Sequence, residues 1–204
     1  DTLIRELSGG QRSLDNFAAA FFGGSDGQFV PQTYTFADVV SALNAVQPHD
    51  WRAFLQERLD GHGGAPLDGI ARGGYSLIYS DTESEYFKKS EARRKVTDFS
   101  YSLGFAIGRE NRLIDVMWGG PAYSVGLTVG TQIVAVNSVA YDGDRLKDIM
   151  KHARTDPAAI ELLVRNGDRY TTVRIDYHDG LRYPHLKQTQ GTPARLDQIL
   201  APRG

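Results

Sequence analysis

The 204-residue chain contains no cysteine, which excludes a disulfide framework and any thiolate metal site. That absence is neutral about compartment, since exported and cytosolic proteins alike can lack the residue. An excess of one charge is missing too: 23 Lys and Arg stand against 25 Asp and Glu, a formal net charge of −2. No basic stripe points to nucleic acid, and no polybasic segment points to an anionic membrane surface. Long hydrophobic runs are also lacking. The longest, Phe17-Ala-Ala-Ala-Phe-Phe22, is far too short to span a bilayer. The histidines His49, His62, His152, His178 and His185 form no His-Glu-x-x-His pair, the helical arrangement that holds zinc beside a glutamate base. There is no Gly-x-Ser-x-Gly elbow and no Gly-x-x-x-x-Gly-Lys-Ser/Thr phosphate loop. Asp142-Gly-Asp144 lacks the ligand repeat and closing glutamate of a calcium loop. Asp176, His178 and Asp179 crowd together, but a strand end before Gly180 is the simpler account. The chain is expected to carry no catalytic or metal residue and to be inactive alone.

What is present is ordinary globular material. Hydrophobic residues make up 41% of the chain, enough to bury a core, and the length has room for one large or two small domains. Residues 1–62 read as helical. Leu3, Ile4 and Leu7 share a face that Gly9-Gly10 would stop. Ser13 is a plausible N-cap for a helix carrying Leu14, Phe17, Phe21 and Phe22. Residues 23–27 read as a loop. Thr35-Phe-Ala-Asp38 has the form of a capping box, followed by Val39, Val40, Leu43 and Val46 on one stripe. Pro48 ends that helix, and Asp50 caps another bearing Trp51, Phe54, Leu55 and Leu59 up to Gly61. These aromatics are expected in a core.

Glycine and proline accumulate towards Gly73, so 63–73 is expected to be a linker. Tyr75–Tyr79 reads as a strand, and Glu83–Lys95, of mixed charge, as a solvated face or loop. Tyr101-Ser-Leu-Gly-Phe-Ala-Ile-Gly108 reads as an alternating strand interrupted by Gly104, and a strand glycine often marks a close approach of backbone or ligand. Asp142–Ala153 spaces Leu146, Ile149, Met150 and Ala153 as an amphipathic helix. Asn166-Gly167-Asp168 between two alternating runs is a hairpin signal. Thr192-Pro193 opens a short closing helix with Leu196, Ile199 and Leu200 on one side.

Ser-Leu-Gly-Phe followed by Pro121-Ala-Tyr-Ser-Val-Gly-Leu-Thr-Val-Gly-Thr-Gln-Ile-Val-Ala-Val-Asn137 resembles a PDZ domain. The resemblance implies an α+β chain: an N-terminal helical subdomain, then over 74–180 a PDZ-like β-barrel or sandwich with two helices, and over 181–204 a tail with a short helix. It implies that Leu103, Gly104 and Phe105 form a loop whose backbone N–H groups receive a peptide carboxylate, the peptide adding as a strand. The strand through Ile107 and the helix bearing Leu146 and Met150 would wall the groove, although core is the commoner role for both of those side chains. On this reading Gly104→Val is expected to abolish peptide affinity by a clash with the carboxylate.

Asp1–Phe17, Tyr34–Val40, Asp50–Leu55 and Gly64–Asp68 are similar to the glycyl aminopeptidase family, thermolysin-like zinc metallopeptidases with a C-terminal PDZ domain. This resemblance runs over nearly the whole chain and implies that residues 1–62 complete the helical part of a catalytic domain. The zinc ligands of such enzymes lie upstream of a segment like Asp1–Phe17, so zinc is implied only for a parent protein. Asp1 is not an initiator methionine, and the chain is expected to be processed or cut from something longer. The partners implied are a peptide or protein C-terminus and the parent's missing N-terminal catalytic region; the compartment implied is periplasmic or extracellular. The alternative is a free-standing PDZ module without enzymatic activity. A third reading is purely structural, with the groove blocked.

Overall fold

A computed structural model describes residues 1–202 apart from Ser25, Asp26 and Gln28. The loop expected at 23–27 therefore lies partly outside the described residues. The chain is α+β and divides into two compact units, Asp1–Leu77 with Leu186–Gly204, and Ile78–His185.

The first unit is mainly helical, and its helices start where side chains can take the orphan N–H groups of a first turn. After α1 (Thr2–Leu7), Ser13 and Asn16 form a capping box on α2 (Leu14–Phe22), and Thr35 and Asp38 form another on α3 (Phe36–Val46). Asp50 accepts the Ala53 N–H at 2.9 Å to start α4 (Trp51–Asp60). Ile4, Phe17, Leu43 and Trp51 make the buried cluster. The Trp51 indole N–H donates to the Gln47 carbonyl at 2.8 Å, so the ring is buried without an unpaired donor. One aromatic expected in the core is not buried, Phe22 at 69% exposure, and Leu59 on the α4 stripe is 73% exposed. Each lies at the far end of its helix, where no element among the described residues of this unit covers it.

The stretch expected as a linker carries α5 (Asp68–Arg72), which packs against α1. The tail is structured as well. α9 (Arg195–Leu200) starts at Ala194 without a side-chain cap, not at Thr192. Its Leu196 N–H donates to the Gly73 carbonyl at 3.1 Å. A Cβ on Gly74, at φ +88°, would meet the Pro193 carbonyl oxygen at 2.4 Å, so glycine there admits the tail.

The strands form antiparallel ladders that do not close. β1 (Tyr75–Ser80) pairs with β9 (Tyr183–Gln188); β2 (Thr97–Asp98), β3 (Phe105–Ile107) and β4 (Leu113–Val116) form a second sheet in that order. The third has the order β6 (Val139–Ala140), β5 (Gln132–Val136), β7 (Ile160–Asn166), β8 (Arg169–Ile175). The barrel or sandwich expected from the sequence is thus replaced by separate sheets. The reason is strand length: β2 and β3 have two and three residues, and the second sheet meets the third through an isolated bridge, Arg112 to Gln132, and the hydrogen bonds of Leu113 with Gly130 and Thr131. The expected pair of helices becomes three: α6 (Glu85–Arg94), α7 (Pro121–Ser124) and α8 (Gly143–His152). β7 alternates as expected, burying Ile160, Leu162 and Val164 against Ile133, Val136, Leu146 and Met150.

Two hairpin turns follow from positive φ. Asn166 pairs with Arg169, leaving Gly167-Asp168 as the turn with Gly167 at φ +59°; the glycine therefore occupies the first central position rather than the second. Between β5 and β6, Asn137 and Ser138 both lie at positive φ, +46° and +65°, the conformation of a type I′ turn. Asn tolerates it; Ser does not. Ser138→Gly is therefore expected to raise stability by about 0.5–1 kcal/mol, read as a higher urea midpoint at unchanged m-value.

Candidate functional site

The chain doubles back on itself between β2 and β3. Phe99 donates its N–H to the Phe105 carbonyl at 2.9 Å, and its own carbonyl accepts from the N–H groups of Ser102 and Gly104, each at 3.0 Å. Two loop N–H groups thus converge on one oxygen, as they would on a bound anion. Gly104 reaches this geometry at φ +81°, and a Cβ there would lie 3.4 Å from Gly120 Cα and Pro121 Cδ. The strand expected at 101–108 is accordingly confined to Phe105–Ile107, with both of its faces buried instead of alternating.

The six residues expected to line a peptide groove are brought together, but as core. Leu103, Phe105, Leu146 and Met150 are 0% exposed and Ile107 3%. Gly104 spends its N–H on Phe99. β3 is the central strand of its sheet: Thr97 pairs with Ile107 and Asp98 with Ala106 on one side, while β4 takes the other. The Phe99 ring, 1% exposed, meets Phe105 edge-on at 5.7 Å. Thr97 lies against Gly143 at the start of α8.

Sequence reasoning missed the elements that hold this arrangement. α6 is capped by Ser84, whose hydroxyl accepts the Phe87 N–H at 3.2 Å, a cue visible in the sequence. Its inward ties are charges. Lys147 of α8 is ion-paired with Glu83 and lies 3.7 Å from Glu91, all three being less than a fifth exposed. The Tyr183 hydroxyl donates to Glu83 at 2.9 Å, and the Asp98 N–H donates to Glu91 at 2.6 Å. Burial pushes the Glu91 carboxyl up from its usual range. Burial pulls Glu83 the same way, but hydrogen bonds from Lys147 and Tyr183 outweigh it and hold Glu83 below the usual range. Burial would likewise lower Lys147, yet its bond to Glu83 and the Glu91 charge carry it upward.

Beside the glycine loop lies a cleft of about 690 Å³ lined by Tyr79, Tyr101, Trp118, His178 and Arg182, among others. Trp118 is 86% exposed, and the Arg182 guanidinium sits 4.3 Å above the Tyr79 ring. His178 Nε2 lies 2.7 Å from the Asp176 carboxylate, and Nδ1 lies 3.1 Å from the carbonyls of Ala153 and Asp156. All three partners are acceptors, so the imidazolium, with two donors, is the form that fits. The hydrogen bond to Asp176 first, and that to the Ala153 carbonyl next, raise its pKa. A raised folded-state pKa contributes stability below about pH 6.5, the unfolded value, and loses it as pH rises through the folded value. His178→Gln is expected to flatten that fall in a pH series of melting temperatures. Gly104→Ala is expected to cost about 1–2 kcal/mol from the left-handed backbone alone, read by urea unfolding.

No family model matches the sequence, and no curated protein does. Among solved structures, the chain is similar to the crystal structure of an aminopeptidase N family protein from Idiomarina loihiensis, with a TM-score of 0.58 and 17% identity. The match covers 99% of this chain and 34% of that chain. At this identity it is a likeness of fold.

Proposed function

We propose that this chain is the non-catalytic end of a larger zinc aminopeptidase, and that Ile78–His185 is its PDZ-type module, receiving a peptide or a protein C-terminus as an added strand. The observation that carries the parentage is the coverage: nearly all of this chain matches about a third of an aminopeptidase N family protein. In the parent, zinc would supply an activated water for attack on the first peptide bond of a substrate with a small N-terminal residue such as glycine. This chain's part is to complete the helical layer and to present the strand-receiving module, and such a protein would work in the periplasm or outside the cell.

The strand-receiving half of the reading is supported by the two N–H groups that converge on the Phe99 carbonyl and by the antiparallel segment beside β3. A free-standing peptide-binding module is the second reading, favoured by the separate core of Ile78–His185. Native mass and activity distinguish the two. The protein purified from its source with an antibody to this region is expected to be much heavier than 204 residues and to hydrolyse glycyl-p-nitroanilide in a zinc-dependent manner. The 204-residue chain with added zinc is expected to give no turnover above a zinc blank. A native mass equal to that of this chain would leave only the peptide-binding module.

A further inference from the structure

The residues that would receive a peptide strand are already in use by the chain itself. Thr97, Asp98 and Phe99 run antiparallel to β3 in register with Ile107, Ala106 and Phe105. At the end of the run the Phe99 carbonyl takes the two loop N–H groups, and the Phe99 ring fills the core beside Leu103 and Phe105. Thr97 faces the first turn of α8. This is the arrangement of a bound peptide ending in Phe, except that the occupant is covalently part of the receiver.

The segment that leads into Phe99, residues 84–98, is held in place less firmly than the body of the unit. β2 is two residues long, and α6 buries no residue completely. The anchors of α6 are Phe87, edge-on against Tyr183 at 4.9 Å and tilted against Tyr101 at 6.5 Å, the ties among Glu83, Glu91 and Lys147, and the contacts of Glu91 and Arg94 with Asp98. Lys95 joins α6 to β2 at φ +54°, a conformation that a side chain makes unfavourable. By contrast β7 and β8 pair over seven consecutive residues. Segments with few buried apolar contacts open at lower cost than the core ladder.

We infer that residues 84–99 are an internal ligand: α6 latches Thr97–Phe99 onto β3, and undocking of this segment uncovers an edge that takes an extended peptide with a free carboxylate, a carboxyl-terminal aromatic residue and a β-branched residue two positions before it. The inference rests on the strand-receiving half of the proposed function and not on the parentage, so the fate of the aminopeptidase reading leaves it standing. A receiver that is open only part of the time binds with an affinity reduced by the open fraction, so loosening the latch strengthens binding.

The probe is the free peptide Ala-Arg-Arg-Lys-Val-Thr-Asp-Phe, which repeats residues 92–99, with its amidated form as control, titrated against the full chain. The wild type is expected to bind it no tighter than about millimolar, and Phe87→Ala at least tenfold tighter, with the amidated peptide weaker on both. Native-state hydrogen exchange on the wild type reads the same latch without a variant. Amides of 85–98 are expected to exchange at least about a hundredfold faster than those of β5 and β7. A folded Phe87→Ala chain that binds no better than the wild type overturns the inference, as does a wild type that binds as tightly as the variant. If Phe87→Ala does not fold, exchange decides: protection of 85–98 equal to that of β5 and β7 overturns it.

Discussion

The carbonyl of Phe99 is the atom on which the second unit turns. A buried carbonyl at a chain reversal has no ladder partner and must be satisfied locally. The N–H groups of Ser102 and Gly104 do this, and in doing so they fix the direction of the chain on both sides. Upstream, Thr97 and Asp98 fall into register with Ile107 and Ala106. Downstream, Gly104 returns its carbonyl to the Met117 N–H and Leu103 gives its carbonyl to the Ala122 N–H. One small turn therefore seats β2 and places the Phe99 ring in the core. It also ties the loop to the start of α7.

A second constraint acts from the other side of β2. Glu83, Glu91 and Lys147 bring two negative charges and one positive charge into a largely buried position. Such a group is weak evidence for stability, because desolvation offsets most of the attraction. Its value here is geometric. An apolar contact would hold α6 against α8 in several registers, whereas Lys147 reaches both carboxylates in one. The opposite displacements of Glu83 and Glu91 follow from that placement: Glu83 has the lysine and the Tyr183 hydroxyl, while Glu91 has mainly burial and one backbone N–H.

The sequence was legible wherever structure is made by near neighbours. The caps Ser13, Thr35 and Asp50 lie where their spacing places them, and the inward stripe of α8 is the one its apolar period describes. Legibility ended where partners are remote or where charge does the work of apolar contact. α6 was obscured because Glu91, which it turns inward, and Glu83, just ahead of its cap, look like solvent-facing charge. β1 and β9 pair across a hundred intervening residues, and nothing in either segment names the other. Whether the candidate groove is open or blocked stayed undecided because the loop motif describes the receiver and is silent about what sits in it. The occupant, Val-Thr-Asp-Phe, carries no signal of its own.

Gly104 shows why a Φ-Gly-Φ loop is ambiguous even when its position is right. The same glycine serves two ends that point in different directions. Its N–H is aimed at the oxygen of Phe99, whereas a side chain there would come into contact with Gly120 and Pro121. Replacing it disturbs backbone conformation and the packing at α7 before it touches anything the N–H might hold. A valine at Gly104 would therefore act on the left-handed backbone at φ +81° as well as on anything its N–H might hold. Loss of ligand affinity in such a variant would say nothing about ligand contact at Gly104. Only a change that leaves the loop intact and alters what lies beside β3 separates the receiver from its occupant. For that purpose the informative side chains of α6 are Glu91, which accepts the Asp98 N–H beside β3, and Phe87, which anchors the helix on Tyr183 and also meets Tyr101 of the loop.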